Sequence, residues 1–182
     1  MYRHRKLLAI IIVIAALFAL FSCAPAKKAD ALDVLRLPAK LLVEGERNGV
    51  AFCAEVSLGE VRADGSRCGE IVYSLPEAFR GLRIKTDSGV WEAELGEVRI
   101  SGRAAEALGA PLTPFMQIRA AESAELTADA QTLITVSTEN VMLEFTVDGE
   151  SGLPISICEK TSSGEMVMEF KITEYKIQNP SE

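Results

Sequence analysis

Val141-Met142-Leu143-Glu144-Phe145-Thr146-Val147-Asp148-Gly149-Glu150-Ser151-Gly152-Leu153-Pro154-Ile155-Ser156-Ile157 reads as two strands joined by a tight turn. Val141, Leu143, Phe145 and Val147 alternate with Met142, Glu144 and Thr146. That period of two gives a strand one buried face and one wet face. Asp148 to Gly152 carries turn chemistry, and Leu153 to Glu159 brings the chain back.

The same rhythm extends in both directions. Upstream, Phe52, Ala54, Val56 and Leu58 form one apolar row, and Ile71, Tyr73 and Leu75 form the next. Leu82 with Ile84, Trp91 with Ala93 and Leu95, and Val98 with Ile100 continue the series. Turn residues separate them at Ala63-Asp64-Gly65-Ser66, Ser74-Leu75-Pro76 and Asp87-Ser88-Gly89. Downstream, Thr132 to Thr138 is a strand, and Ser162-Ser163-Gly164 makes a turn. Met166, Met168, Phe170 and Ile172 then form the last inner row. At Thr173-Glu174 the phase slips before Tyr175 and Ile177, the mark of a β-bulge.

Two segments break the rhythm. Arg103 to Gly109 is Ala-rich and predicts a helix ending before Pro111. Leu112 to Ala120 predicts a second, capped by Thr113 with Pro114 in its first turn. Asp30 to Leu42 predicts a further short helix interrupted at Pro38. The fold class is therefore mainly β (α+β). Eight or nine antiparallel strands run in meander order as a curved sheet, with one or two short central helices packed on one face.

The N-terminus carries an address. Arg3, Arg5 and Lys6 precede an apolar run from Leu7 to Phe21, and the run ends at Ser22-Cys23. A cationic head, a run of this length and a small residue before the cut describe a secretory signal peptide. The run is short for a membrane span, which needs about 20 apolar residues. Leu20-Phe21-Ser22-Cys23 resembles the lipobox of bacterial lipoproteins, with Phe21 bulkier than the pattern prefers. That resemblance implies cleavage before Cys23 and lipidation of its thiol. Ala24-Pro25-Ala26 as an ordinary cleavage site, and an uncleaved anchor, are the competing readings. The expected organisation is a signal peptide over 1–22, a lipidated tether over 23–38, a β domain over 39–178 and a short tail over 179–182. The expected location is the extracytoplasmic face of the cell membrane.

Removing residues 1–22 leaves 160 of the 182, enough for one domain. It also removes three cations, which takes the net charge from −7 to −10. A nucleic-acid partner calls for a basic footprint, so none is expected. The single histidine, His4, lies in the leader. The exported part therefore has no Ser-His or Cys-His chemistry and no histidine-ligated zinc.

With Cys23 lipidated, Cys53, Cys68 and Cys158 remain. An odd count implies one disulfide and a free thiol, or three free thiols. Cys53 and Cys68 can face each other across a hairpin, unless its register shifts. Glu92, Glu94 and Glu97 read first as a solvated face and only second as a cation site. Asp148, Glu150 and Ser151 read as a plain turn. Phe115, Met116 and Ile118 either dock a helix on the core or form a lid over the mouth of the sheet. No phosphate loop, CxxC pair or nucleophile elbow is present. No catalytic residue, metal or cofactor is expected, and a hydrolase relying on carboxylates alone has only its low prior.

Three stretches carry a further resemblance: Ala51 to Val56, Tyr73 to Ile84, and Phe145 to Ile157 with its Gly152-Leu153-Pro154 corner. They resemble the LolA-like half-barrel of lipoprotein-localisation factors, and within it the germination lipoproteins of spore-forming Firmicutes. The likeness spans residues 51–177 by pattern, without a diagnostic signature. It implies binding rather than catalysis. The first expectation is a scaffold for a cell-envelope protein such as a cell-wall hydrolase. The alternative is a carrier or chaperone for acylated or other apolar ligands, held on the concave face. Trp91, Phe115, Met116 and Phe145 are the candidate contact residues.

Overall fold

The computed structural model describes residues 31–118, 123–126, 131–137 and 141–178. The leader, Cys23 and the tail 179–182 lie outside the described residues, as do Arg119 and Ala120 of the expected second helix.

Short helix α1 (Ala31–Arg36) leads into a run of six antiparallel strands. These are β1 (Ala39–Arg47), β2 (Val50–Leu58), β3 (Gly69–Leu75), β4 (Arg83–Asp87), β5 (Val90–Leu95) and β6 (Val98–Ser101). Helices α2 (Arg103–Leu108) and α3 (Thr113–Met116) follow, with a 3-10 turn at Ala110–Leu112 between them. Five strands then return: β7 (Ser123–Leu126), β8 (Thr132–Ser137), β9 (Val141–Val147), β10 (Pro154–Thr161) and β11 (Met166–Ile177). All eleven join one curved, open sheet in the order β6-β5-β4-β3-β2-β1-β11-β10-β9-β8-β7.

The half-barrel is thus two meanders joined at the middle by β1 and β11. The link from β6 to β7 leaves one edge of the sheet and resumes at the other. Its described helices lie over the concave face. Ala105, Leu112, Phe115 and Ile118 share one core with the inner rows of the sheet, among them Leu41, Val56, Ile71, Trp91, Phe145 and Phe170.

Several expectations are corrected. Residues 39–42 belong to a strand, not a helix. Ala39, Leu41 and Val43 face the core at period two, and β1 pairs with β2 and β11 along its whole length. With β7 this raises the strand count to eleven. Val98 and Ile100 are on the inner side but not buried, because β6 is an edge that the helices do not cover. Thr113 is the first residue of α3, and no side chain caps that helix. Gly109 does end α2, but with an ordinary negative φ. Its lack of a side chain serves a close approach, since a Cβ there would stand 2.6 Å from Cζ3 of Trp91.

Residues 31–38, expected in the tether, are part of the packed unit. Val34 and Leu35 are buried. The buried Arg67 donates to Leu35 O (2.9 Å), Leu37 O (2.9 Å) and Gly59 O (2.7 and 3.0 Å). Tyr175 donates to Val34 O at 3.0 Å. A helix end leaves its last carbonyls without intrahelical partners, and these two side chains supply donors. Burial pulls the Arg67 pKa below its ordinary value, a cost offset by carbonyl acceptors on every side.

The bulge falls where the phase slip places it. Leu42 pairs with Glu174 and Val43 with Ile172, which leaves Thr173 as the extra residue. Its hydroxyl donates to Leu42 O at 3.2 Å.

Gly45 of β1 stands opposite Phe52 on one side and Phe170 on the other. The two rings meet edge to face, centroids 6.0 Å apart. A Cβ at position 45 would run into Glu169 O and the Phe170 side chain. Gly45→Val is therefore expected to destabilise the domain by about 1–3 kcal/mol through overpacking. Thermal unfolding followed by circular dichroism should show a Tm several degrees lower, and an unchanged Tm would refute this account of the joint.

Candidate functional site

The residues expected to meet a ligand or partner lie inside the packing. Trp91, Phe115 and Phe145 are buried, and Met116 packs against the core. Phe115 stacks at a tilt on Phe170, centroids 6.1 Å apart. Of the two readings for the Phe115 segment, docking of a helix on the core is the one observed. The concave face is filled by side chains of α2, the 3-10 turn and α3. Sequence periodicity marks a buried face but not what covers it, so it could not separate a groove from a core.

The carboxylates are engaged elsewhere. Glu92 lies opposite Lys85, and Glu94 lies opposite Arg83 and bonds Arg99 at 3.2 Å. Glu70 sits 3.5 Å from Arg83 and 3.4 Å from Lys85. These exposed cross-strand pairs contribute little stability each. Beside them lies an open concavity of about 560 Å³, lined by Leu58 and Val90 as well as by Glu70, Lys85 and Glu92. Asp148 accepts from Ser151 N (2.6 Å), Ser151 Oγ (2.7 Å) and Glu150 N (3.2 Å). The Ser151 bonds in particular hold its carboxyl below the usual range, and its lone pairs serve the turn. No cluster of metal-ligating side chains occurs among the described residues.

Exposed apolar side chains include Leu37, Val90, Met166 and Ile177, and two places group several together. One is the edge strand β6, where Val98 is 66% and Ile100 38% exposed. An uncovered edge offers free backbone donors and acceptors to another chain. The other is a pocket of about 360 Å³ at the β1–β2 hairpin end, walled by Val50, Phe52, Tyr73, Phe79 and Pro111 with Arg47 at its mouth. Sequence reading missed this pocket because its walls come from three separate segments, 47–52, 73–79 and 108–111. Two side chains there hold the end of α2. Arg47 Nη1 donates to Ala107 O at 2.6 Å, and Tyr73 Oη donates to Leu108 O at 2.7 Å. Burial pushes the Tyr73 pKa up to about 12. On the same inner row, burial also raises Glu159, which lies across Met168 from Arg47.

Cys53, Cys68 and Cys158 are all free. The expected Cys53–Cys68 pairing fails on register. Cys53 lies opposite Leu75, whereas Cys68 O accepts from Gly59 N six residues further along. Six residues of strand span about 20 Å, and a disulfide needs Cα atoms within about 7 Å.

No family model and no curated protein matches the chain. Solved structures share its fold. An uncharacterized conserved protein from Thermus thermophilus aligns over 86% of this chain and 90% of its own, with 13% identity and a TM-score of 0.51. MucB aligns over 87% of this chain, with 17% identity and a TM-score of 0.50. The aligned part is 62% of the MucB chain, so the present chain spans less than two thirds of that protein. A LolA superfamily protein from Nitrosomonas europaea aligns at 9% identity and a TM-score of 0.45, over 82% of this chain and 91% of its own.

Two outcomes follow. Iodoacetamide should modify Cys68 first, since it is exposed, and Cys158 slowly, since burial raises its pKa. Peptide mass mapping reads this, and a linked Cys53–Cys68 peptide would refute it. The second concerns alkali. Tyr73 has a folded pKa above its ordinary 10, so its contribution is complete below pH 10 and lost as pH rises towards 12. Tyr73→Phe should flatten that part of the stability-against-pH curve, measured by urea unfolding.

Proposed function

We propose that this chain is an exported lipoprotein, held at the extracytoplasmic face of the membrane through Cys23, that binds a cell-envelope protein and has no catalytic role. The observation that carries the reading is the filled concave face. An acyl carrier needs an apolar cavity, and ligand cavities are concave and mostly apolar. Here the helices between β6 and β7 occupy the concave face, which leaves no concave-face groove for an acyl chain among the described residues. Solvent-exposed apolar side chains cluster along the edge strand β6 and at the hairpin end. Exposed apolar patches and open strand edges suit protein docking.

The resemblance to LolA-like half-barrels and germination lipoproteins adds a direction. It makes a cell-wall hydrolase the first partner to look for. MucB, which shares the fold, forms a complex with MucA, and that is a property of MucB.

The test is capture of the full-length protein from native membranes, followed by mass spectrometry of proteins and lipids. Controls are Cys23→Ala, and Val98→Lys combined with Ile100→Lys. We expect one stoichiometric envelope protein that is lost with the edge variant, and Cys23→Ala protein released from the membrane. A stoichiometric acyl ligand without a protein partner would transfer the function to the carrier reading.

A further inference from the structure

The hairpin-end pocket combines an apolar wall with one cation. Val50 is 52% and Phe79 37% exposed, so the wall opens to solvent. Arg47 is the only charged residue in the lining. One of its five N–H groups is given to Ala107 O. No ion pair engages it among the described residues. Glu159, across Met168, acts on it only through space. The guanidinium therefore keeps donors for an acceptor in the pocket. A planar fork of this kind is suited to a carboxylate.

Charge and position narrow the occupant. The chain carries a net charge of −7, which disfavours a polyanion and leaves room for one carboxylate beside an apolar group. Strand β1 runs from Ala39 to Arg47. The pocket is thus about 30 Å along the strand from Pro38, where the N-terminal segment enters the sheet.

We propose that the pocket docks a short segment of a partner protein in which a bulky apolar side chain stands next to an Asp or Glu. The apolar group sits between Val50, Tyr73 and Phe79, and the carboxylate pairs with Arg47. The inference rests on the protein-docking reading above and assigns it a recognition chemistry.

The test uses the full-length chain in phosphatidylcholine nanodiscs on a biosensor. The probes are the peptide acetyl-Gly-Gly-Leu-Phe-Asp-Gly-Gly-amide and its Asn counterpart. The Asp peptide should bind about tenfold more tightly, the scale of one charge-assisted hydrogen-bonded pair. Arg47→Gln keeps a donor for Ala107 O and should erase the difference. Val50→Glu, at an exposed position, should weaken both peptides, and it keeps the test decisive if Arg47→Gln fails to fold. Equal binding of the two peptides, no saturable binding, or indifference to Val50→Glu would overturn the proposal. So would competitive displacement by lysophosphatidylcholine, which would give the pocket to an acyl ligand. Equal binding of the two peptides by the unsubstituted chain, while a protein partner is still captured from membranes, refutes the pocket alone. Failure to capture any partner refutes the docking reading.

Discussion

Gly45 is where the two halves of the sheet are allowed to meet. It lies between Phe52 and Phe170, whose rings close over the space its missing side chain leaves. Glycine in a strand interior costs backbone entropy and packs nothing itself. The two flanking aromatics supply the missing contact area. Phe170 also touches Phe115 from α3, and Phe52 touches Tyr73, which touches Phe79. One chain of rings thus connects the joint of the sheet, the helical cover and the hairpin-end pocket.

The helices are held by a repeated device. In each case an arginine and a tyrosine from the sheet or its loops donate to carbonyls at the helix C-terminal end. Arg67 and Tyr175 do this for α1, and Arg47 and Tyr73 for α2. Helices of six residues are too short to be stable alone in water. Burial of one face and donors for the free carbonyls fix their position on the sheet. The pattern explains how two basic residues sit half or fully buried without an acid beside them.

The elements that the sequence made legible are those in which one period governs the whole strand. The hairpin from Val141 to Ile157, the bulge at Thr173 and the rows through Ile71, Ile84 and Trp91 appear, except that Leu75 and Leu95 at the ends of two rows are exposed. Strand β1 was hidden because Leu41-Leu42-Val43 is apolar on both faces, and Pro38 pointed to a broken helix. The stronger signal was Asn48-Gly49, which adopts positive φ at both residues and makes the two-residue turn into β2. The site was the least legible part. Whether Trp91 and Phe145 line a groove or a core depends on what the link between β6 and β7 covers, and no local pattern carries that information.

The pairing of β1 with β11 also sets an order of events. The Thr173 bond to Leu42 O joins residues 131 apart in sequence, and the whole β1–β11 ladder is equally remote. Contacts of such separation slow folding, because loop closure must precede any gain from pairing. A chain emerging N-terminus first would present β1 with one edge bare until its final strand arrived. The first six strands can assemble as a meander by local steps, but their apolar inner face stays uncovered until the second half docks. This architecture therefore has its most aggregation-prone moment late in synthesis, at the strand on which its completion depends.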